Sequence, residues 1–463
     1  MTRELKEKPA RAVVAAVQLP SVSESEFQAS LAELRQLAKT LGFVVVGTFT
    51  QQRPRFDSAA YLGIGKRQEM RRFVRGEDED DSARGAPPDD EKRAADDAAE
   101  AAADPSTRRA DIILVDHEIS PSQARNLEKA VGCEVMDRTM VILEIFHRHA
   151  RSRAARAQVE IVRLSYMAPR LREAAKLAGP QGRQRSGVGG RGAGESRGEL
   201  DRRKIRERIA ELQKELVAID AERKTQRERR QERQGLARVA LVGYTNAGKS
   251  TLMRALTASE VLVADKLFAT LDTTVRALHP ESVPRVLVSD TVGFIENLPH
   301  GLVASFKSTL DEALEASLLV HVIDAAEPGF ERRLAVTEEV LDDIGAKAVP
   351  RLLVFNKIDR VGDEAAQRER ESALRAQHAG CIVMSARREG DIANLHAAIV
   401  AFFQRSLVEA ELFVPWSAQQ LRGEIFASCE VLEDRAESEG SLFRIRGEPQ
   451  IVDRLRAQLS SAA

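Results

Sequence analysis

Apolar residues along this chain repeat with two periods, and the places where the period changes divide it. Residues 12–19 and 43–48 are apolar runs of strand length, while residues 24–41 between them carry apolar positions every three or four residues, as a helix with one buried face does. The runs 112–115 and 120–131 continue the alternation. Residues 1–138 are therefore expected to form an amino-terminal α/β domain with a largely parallel sheet.

A second regime begins at residue 139. Residues 141–177 and 202–233 read as long helices dense in arginine, and in the second of them Ile205, Ile209, Leu212, Leu216 and Ile219 recur at spacings of three and four. This predicts an antiparallel helical hairpin with a narrow apolar seam over residues 139–236. Over residues 237–406, strands beginning near Val239, Val286, Leu318, Arg351 and Ile382 alternate with helices, as a doubly wound sheet requires. His321 interrupts one buried strand and is expected to be a core histidine. Residues 407–463 hold alternating runs at 411–414, 425–432 and 441–445 and a closing helix at 449–459, which predicts a small α/β or α+β cap. The fold class is multidomain α/β.

Composition changes this picture in two places. Residues 77–104 are mostly Asp, Glu, Ala and Pro with no periodic large apolar residue, so they are expected to be disordered, a solvated spacer rather than an acidic docking segment. The break between the hairpin helices sets Arg183, Arg185, Arg191 and Arg197 among seven glycines. Its tip is expected to be mobile and cationic and to reach phosphate backbones of RNA; the alternative is a merely flexible loop. Across the whole chain 30% of residues are charged but the net charge is only -1, so the overall balance names no partner. Cys133, Cys381 and Cys429 lie far apart without metal-ligand spacing, as in a reducing compartment. No stretch approaches the roughly 20 apolar residues of a membrane span. A cytoplasmic monomer is expected.

The chemistry is concentrated after the apolar strand at 239–242. Gly243, Tyr244, Thr245, Asn246, Ala247, Gly248, Lys249 and Ser250 have the spacing of a phosphate-binding loop: the glycines let successive N–H groups face one anion, Lys249 adds charge near the β- and γ-phosphates, and the Ser250 hydroxyl can ligate Mg²⁺. Asn356, Lys357, Ile358 and Asp359 follow a strand, and the Asp359 carboxylate can accept from both N1–H and the exocyclic amine of guanine. Adenine has no such pair of donors. Asn356 is expected to add a polar contact to the base, and the Lys357 stem to cover its face. Ser385, Ala386 and Arg387 fit the loop whose N–H meets the guanine oxygen. Asp290, Thr291, Val292 and Gly293 place a carboxylate beside Mg²⁺ and an N–H at the γ-phosphate. Together the four motifs point to GTP and GDP as ligands.

Carried by these motifs, the chain resembles the HflX family, bacterial ribosome-binding GTPases of the Obg and HflX group. Leu267, Phe268, Ala269, Thr270, Leu271 and Asp272, then Asp290 to Ile295, and Leu298, Pro299 and His300 stand as that family writes them. Upstream, Tyr61 to Lys66 and the glycine loop ahead of Asp201 are similar to its amino-terminal region. Two departures are an Ala at 193 and Ser196, Arg197, Gly198 and Glu199 where the family usually has a proline and a Thr-Gln-Leu-Glu run, and the acidic insert. The resemblance implies a first switch over residues 265–276 with Thr270 as second Mg²⁺ ligand; Thr273 and Thr274 are rivals. It also implies that the hairpin enters the peptidyl-transferase region of the large ribosomal subunit, and that the protein dissociates stalled or idle ribosomes. GTPases serving subunit assembly or RNA modification share the same chemistry and remain the alternative. A metabolic kinase would have no purpose for Asn356 to Asp359.

One position shapes the expected mechanism. Phe294 stands where Ras-like enzymes carry a water-orienting glutamine, and an apolar ring cannot orient water, so intrinsic hydrolysis should be slow. Lys249, Gly293 and Asn246 are the catalytic candidates, with Asn246 either helping to hold K⁺ against the phosphates, as in related GTPases, or serving as an ordinary turn residue. Gly63 and Gly65 before a helix read as a tight turn rather than a phosphate site.

Overall fold

The computed structural model describes residues 9–77, 109–177, 197–231, 237–258, 267–268, 274–295, 312–405 and 407–462. The acidic insert beyond Glu77, the glycine-arginine tip at Arg183, Arg185 and Arg191, the first-switch residues Ala269, Thr270, Leu271, Asp272 and Thr273, and the motif at Leu298 to His300 lie outside the described residues. The chain forms two compact units, residues 1–150 with 156–215, and residues 151–155 with 216–463.

In the first unit, β1 (Arg11–Gln18), β2 (Val44–Gln52), β3 (Ile112–Val115) and β4 (Glu134–Asp137) make a parallel sheet in the order β2-β1-β3-β4. Every residue from Ala12 to Val17 is at most 1% exposed, because β1 lies inside the sheet and is covered on both faces; hence its unbroken apolar run. Helices α1 (Glu24–Leu41), α2 (Ile64–Arg75), α3 (Pro121–Val131) and α4 (Arg138–His149) supply the cover. Ser23 and Glu26 cap α1 reciprocally, and Gly42 ends it at φ 84°. Gly63 opens α2, its N–H donating to Gln51 Oε1 at 3.0 Å, so the glycine pair serves a helix start.

The expected unbroken helix over 141–177 is instead two, α4 and α5 (Arg153–Leu177). Val141, Ile142, Leu143, Ile145 and Phe146 are fully buried and Arg138 is held by Glu33 and by Asp116, the latter at 2.9 Å. The layer around the sheet thus runs past residue 138, to Ala150. Its apolar density explains the misreading: α4 is helical like α5 but is packed into the sheet rather than into the hairpin. Helix α5 is tied back through Asp137, which accepts hydrogen bonds from the Met140 N–H at 2.9 Å, the Tyr166 hydroxyl and Arg170 at 2.6 Å. Across the hairpin, Arg208 of α6 (Arg197–Gln231) meets Glu160 at 2.9 Å, with Leu212 buried and Ile205 and Ile209 half-buried, as the narrow seam predicts.

The second unit holds a six-stranded sheet in the order β10-β9-β8-β5-β7-β6: β5 (Ala237–Val242), β6 (Thr274–Ala277), β7 (Val286–Asp290), β8 (Leu318–Asp324), β9 (Arg351–Asn356) and β10 (Ile382–Val383). All pairs are parallel except β6 with β7. That antiparallel edge strand overlaps the end of the expected first switch and puts Thr274 opposite Asp290. Helices α7 (Lys249–Thr257), α8 (Phe330–Asp343), α9 (Glu364–Gln377) and α10 (Glu389–Gln404) complete the doubly wound arrangement. The carboxy-terminal part is antiparallel, β11 (Val408–Pro415), β13 (Gly440–Gly447) and β12 (Glu430–Ala436) in that order, with α11 (Gln420–Ser428) and α12 (Pro449–Ala462). The expected run at 425–432 spans the end of α11 and the start of β12. Trp416 is 41% exposed, its indole N–H donating to the Ser438 carbonyl at 3.2 Å, rather than the core residue its size suggests.

Candidate functional site

Strand β5 drives the chain into the phosphate loop at the carboxyl edge of the sheet, where open α/β folds place ligands. Gly243 turns the chain at φ 144° and Gly248 at φ 102°, and a Cβ at either would stand 2.2 Å from the Val322 carbonyl oxygen or 2.3 Å from Asn356 Nδ2. Asn246, at the exposed crest, has φ 59°, a left-handed conformation that asparagine tolerates better than most residues, so backbone geometry alone gives a reason for it there. Lys249 folds back to donate to the carbonyls of Gly243 and Tyr244 at 3.0 and 2.9 Å. Burial holds its ammonium down to about 8, opposed by the nearby Asp290 charge.

The aspartate-glycine segment closes against this loop. Ser250 Oγ donates to Asp290 Oδ2 at 2.7 Å, and Thr291 is anchored to the Leu241 carbonyl at 2.7 Å. A Cβ on Gly293 would meet Thr245 at 2.8 Å and Lys249 Nζ at 3.0 Å, so only glycine lets the backbone come this close. Phe294 is 3% exposed, and its backbone is bonded to the loop, accepting from the Thr245 N–H at 2.7 Å and donating to Gly243 at 3.2 Å. Its ring lies inside the protein. Phe268, at φ 56°, is also buried, and Val292 is 6% exposed. A serine hydroxyl and a carboxylate 2.7 Å apart are hard oxygen donors that suit Mg²⁺, which takes few protein ligands beside phosphate and water.

On the other side Asn356 links two loops. Asn356 is 1% exposed and spends both side-chain atoms on the backbone: Nδ2 donates to the Ala247 carbonyl at 2.9 Å and Oδ1 accepts from the Ala386 N–H at 2.9 Å. It braces the phosphate loop against the loop of Ser385, Ala386 and Arg387. The Ser385 and Arg387 N–H groups are taken by Asp391 at 2.8 Å and the Ser385 hydroxyl at 3.3 Å, so a base oxygen here would share the Ala386 donor. Ile358 also turns inward, into a core with Phe330 and Phe355. Asp359 is half-buried, 3.8 Å from Arg387. Lys357 sits at φ 65° with its ammonium donating to the Asn246 carbonyl and to Asp324 Oδ2 at 2.8 Å. Asp391 and Asp324 were not legible as site residues. Their only sequence signals are an acid in the first turn of α10 and one at the end of β8, both common.

His321 is 1% exposed, and burial, with the Arg351 and Lys249 charges adding to it, pushes its imidazole down to about 3. The unfolded chain then binds a proton that the fold refuses, so stability falls as pH drops below about 6.5. Between pH 6.5 and 5 the protein should lose about 2 kcal/mol of unfolding free energy that a His321→Leu variant keeps. Urea denaturation at the two pH values checks this; equal losses would mean that His321 protonates freely in the fold.

Three family descriptions match consecutive parts of the chain. The family described as GTP-binding GTPase N-terminal matches residues 28–81 and 94–147, that described as GTP-binding GTPase Middle Region residues 149–230, and that described as 50S ribosome-binding GTPase residues 238–357. The GTPase HflX of Gluconacetobacter diazotrophicus is 50% identical over 97% of this chain and 98% of its own. That of Caldanaerobacter subterraneus is 41% identical over 77% and 74%. A GTP-binding protein from Sulfolobus solfataricus, solved in complex with GDP, aligns at TM-score 0.43 and 21% identity over 84% of this chain and 99% of that one. No helix among the described residues is long and apolar enough to cross a membrane.

Proposed function

The chain belongs to the HflX family of GTPases and hydrolyses GTP, and from that premise we propose that it is a nucleotide-driven switch acting as a monomer in the cytoplasm on the large ribosomal subunit and its RNA, separating stalled or idle ribosomes. The observation that carries this reading is the brace: Asn356 ties a base-side loop to the phosphate loop, the arrangement a guanine nucleotide needs at its two ends. A GTPase domain of this kind, matched by a family described as 50S ribosome-binding GTPase, is joined in one chain to an arginine-dense hairpin.

In this reading Asp359 accepts the two guanine donors while the Lys357 stem covers the base face. The loop N–H groups of residues 243–250 take the phosphates, Lys249 exchanges its two carbonyl partners for the β- and γ-phosphate oxygens, and the Gly293 N–H meets the γ-phosphate. Ser250 and Thr270 would hold Mg²⁺, which would supply positive charge to offset that of the phosphates. The buried Phe294 ring cannot position water, so hydrolysis by the isolated protein is slow and rises when ribosomes are added. In this reading Asn246 helps to hold K⁺; equal hydrolysis rates in K⁺ and Na⁺ would end that part of it.

The partner is tested through salt. Each phosphate contact contributes on the order of 0.7 to 0.9 to the slope of log affinity against log salt concentration. Replacing Arg183, Arg185, Arg191 and Arg197 by alanine should therefore flatten the slope for ribosome binding by up to about three and abolish subunit splitting, with GTP affinity intact. Parallel salt lines and undiminished splitting, followed by sedimentation, would refute the RNA-contacting tip.

A further inference from the structure

Strands β8 and β9 run parallel and put Asp324 directly opposite Asn356, one residue before Lys357. Asp324 Oδ1 accepts from the Ala326 N–H at 3.1 Å, which fixes the carboxylate, and Oδ2 takes the Lys357 ammonium at 2.8 Å. The same ammonium donates to the Asn246 carbonyl at the crest of the phosphate loop. Both side chains are largely withdrawn from water, 12% exposed for Lys357 and 16% for Asp324. Lys357 itself is held at φ 65°, a conformation that a residue with a Cβ adopts only when its surroundings impose it.

From this geometry we propose that Asp324 is a positioning residue for the base, setting guanine-nucleotide affinity through Lys357. The inference rests on the assignment of residues 356–359 as the guanine site. A lysine stem is four flexible methylenes, and it covers a ring face only while its charged end is pinned beyond the ring. Here the pin is a carboxylate on the neighbouring strand together with a loop carbonyl. Remove the carboxylate and a mostly buried ammonium keeps one neutral acceptor; it is then drawn toward solvent and carries the stem off the base. The pair meets the phosphate loop at the Asn246 carbonyl, while Lys249, Ser250 and Asp290 are held by contacts of their own. The effect should therefore fall on nucleotide retention and not on turnover.

Asp324→Asn keeps shape and removes charge. We expect GDP to dissociate at least tenfold faster, KM for GTP to rise by about as much, and kcat to stay within twofold. If Asp324 acts through Lys357, adding Asp324→Asn to Lys357→Met should cost less than twofold further. A purely structural aspartate would lower affinity in both backgrounds alike. Thermal unfolding without nucleotide confirms the fold of each variant, and Asp324→Ser carries the same expectation should the asparagine variant fail to fold. Dissociation within twofold of wild type, or losses that add in full, overturn the proposal. Asp359→Asn is measured alongside: if it leaves GTP affinity unchanged, the guanine assignment itself fails, whereas loss there with none at Asp324 defeats only this inference.

Discussion

Asp359→Asn should cost the protein GTP and give it xanthosine triphosphate. A carboxylate facing N1–H and the exocyclic amine makes two charge-assisted hydrogen bonds of about 1.5 to 3 kcal/mol each, so GTP affinity should fall on the order of 10² to 10⁴-fold. The asparagine amide can donate to the additional carbonyl of xanthine, which restores a complementary pair. Asp359 is half-buried beside Arg387, 3.8 Å away, and takes no part in the Ile358 core or the Asn356 brace, so the change should leave both in place. Competition binding with GTP, ATP and xanthosine triphosphate checks it. Unchanged GTP affinity would mean that the base is read elsewhere.

Gly243→Ala should be the most damaging single methyl group in the phosphate loop. Its Cβ would lie 2.2 Å from the carbonyl oxygen of Val322, which belongs to the central strand β8 and cannot move aside, and φ 144° is strained for alanine in any case. The loop must shift by the best part of an ångström, a displacement that costs about 10²-fold where groups are aligned on a ligand. Overpacking adds a stability loss of about 1 to 3 kcal/mol. Gly65→Ala is the control: no atom lies within 4 Å of its Cβ, and as a helix residue alanine there should stabilise by up to about 1 kcal/mol with nucleotide affinity unchanged. Calorimetric titration with GDP and thermal melts of both variants decide the matter; a Gly243→Ala protein that binds GDP normally would show the loop to be far more pliable than its contacts imply.

What could be read from sequence follows a physical boundary. The phosphate loop and the parallel strands were legible because each is local: a glycine at a turn, an apolar run between breakers. The destination of a side chain is not local. That Asn356 also joins two loops is invisible in its motif, because the backbone groups it meets lie 109 and 30 residues away in sequence. The packing of α4 was not legible for a related reason. Periodicity says that α4 is a helix with a buried face but not which neighbour buries it, and the charges that tether Arg138 come from residues 105 and 22 positions away. Asp324 and Asp391 were missed because a single acid at an element's end carries no signature until its partner is in view.

The Asn356 brace also makes the site a caliper. With one amide joining the two loops that would grip a nucleotide's opposite ends, the gap between jaws is set by the protein before anything enters. A molecule carrying both ends at that separation gains the second contact at the high effective concentration of a tethered group, while guanosine or pyrophosphate alone forgoes it. Selection by span is then built into the chain. Aspartate at 356 would lose the donor and glutamine would lengthen the arm by a methylene, so neither jaw could be reset without loosening the other.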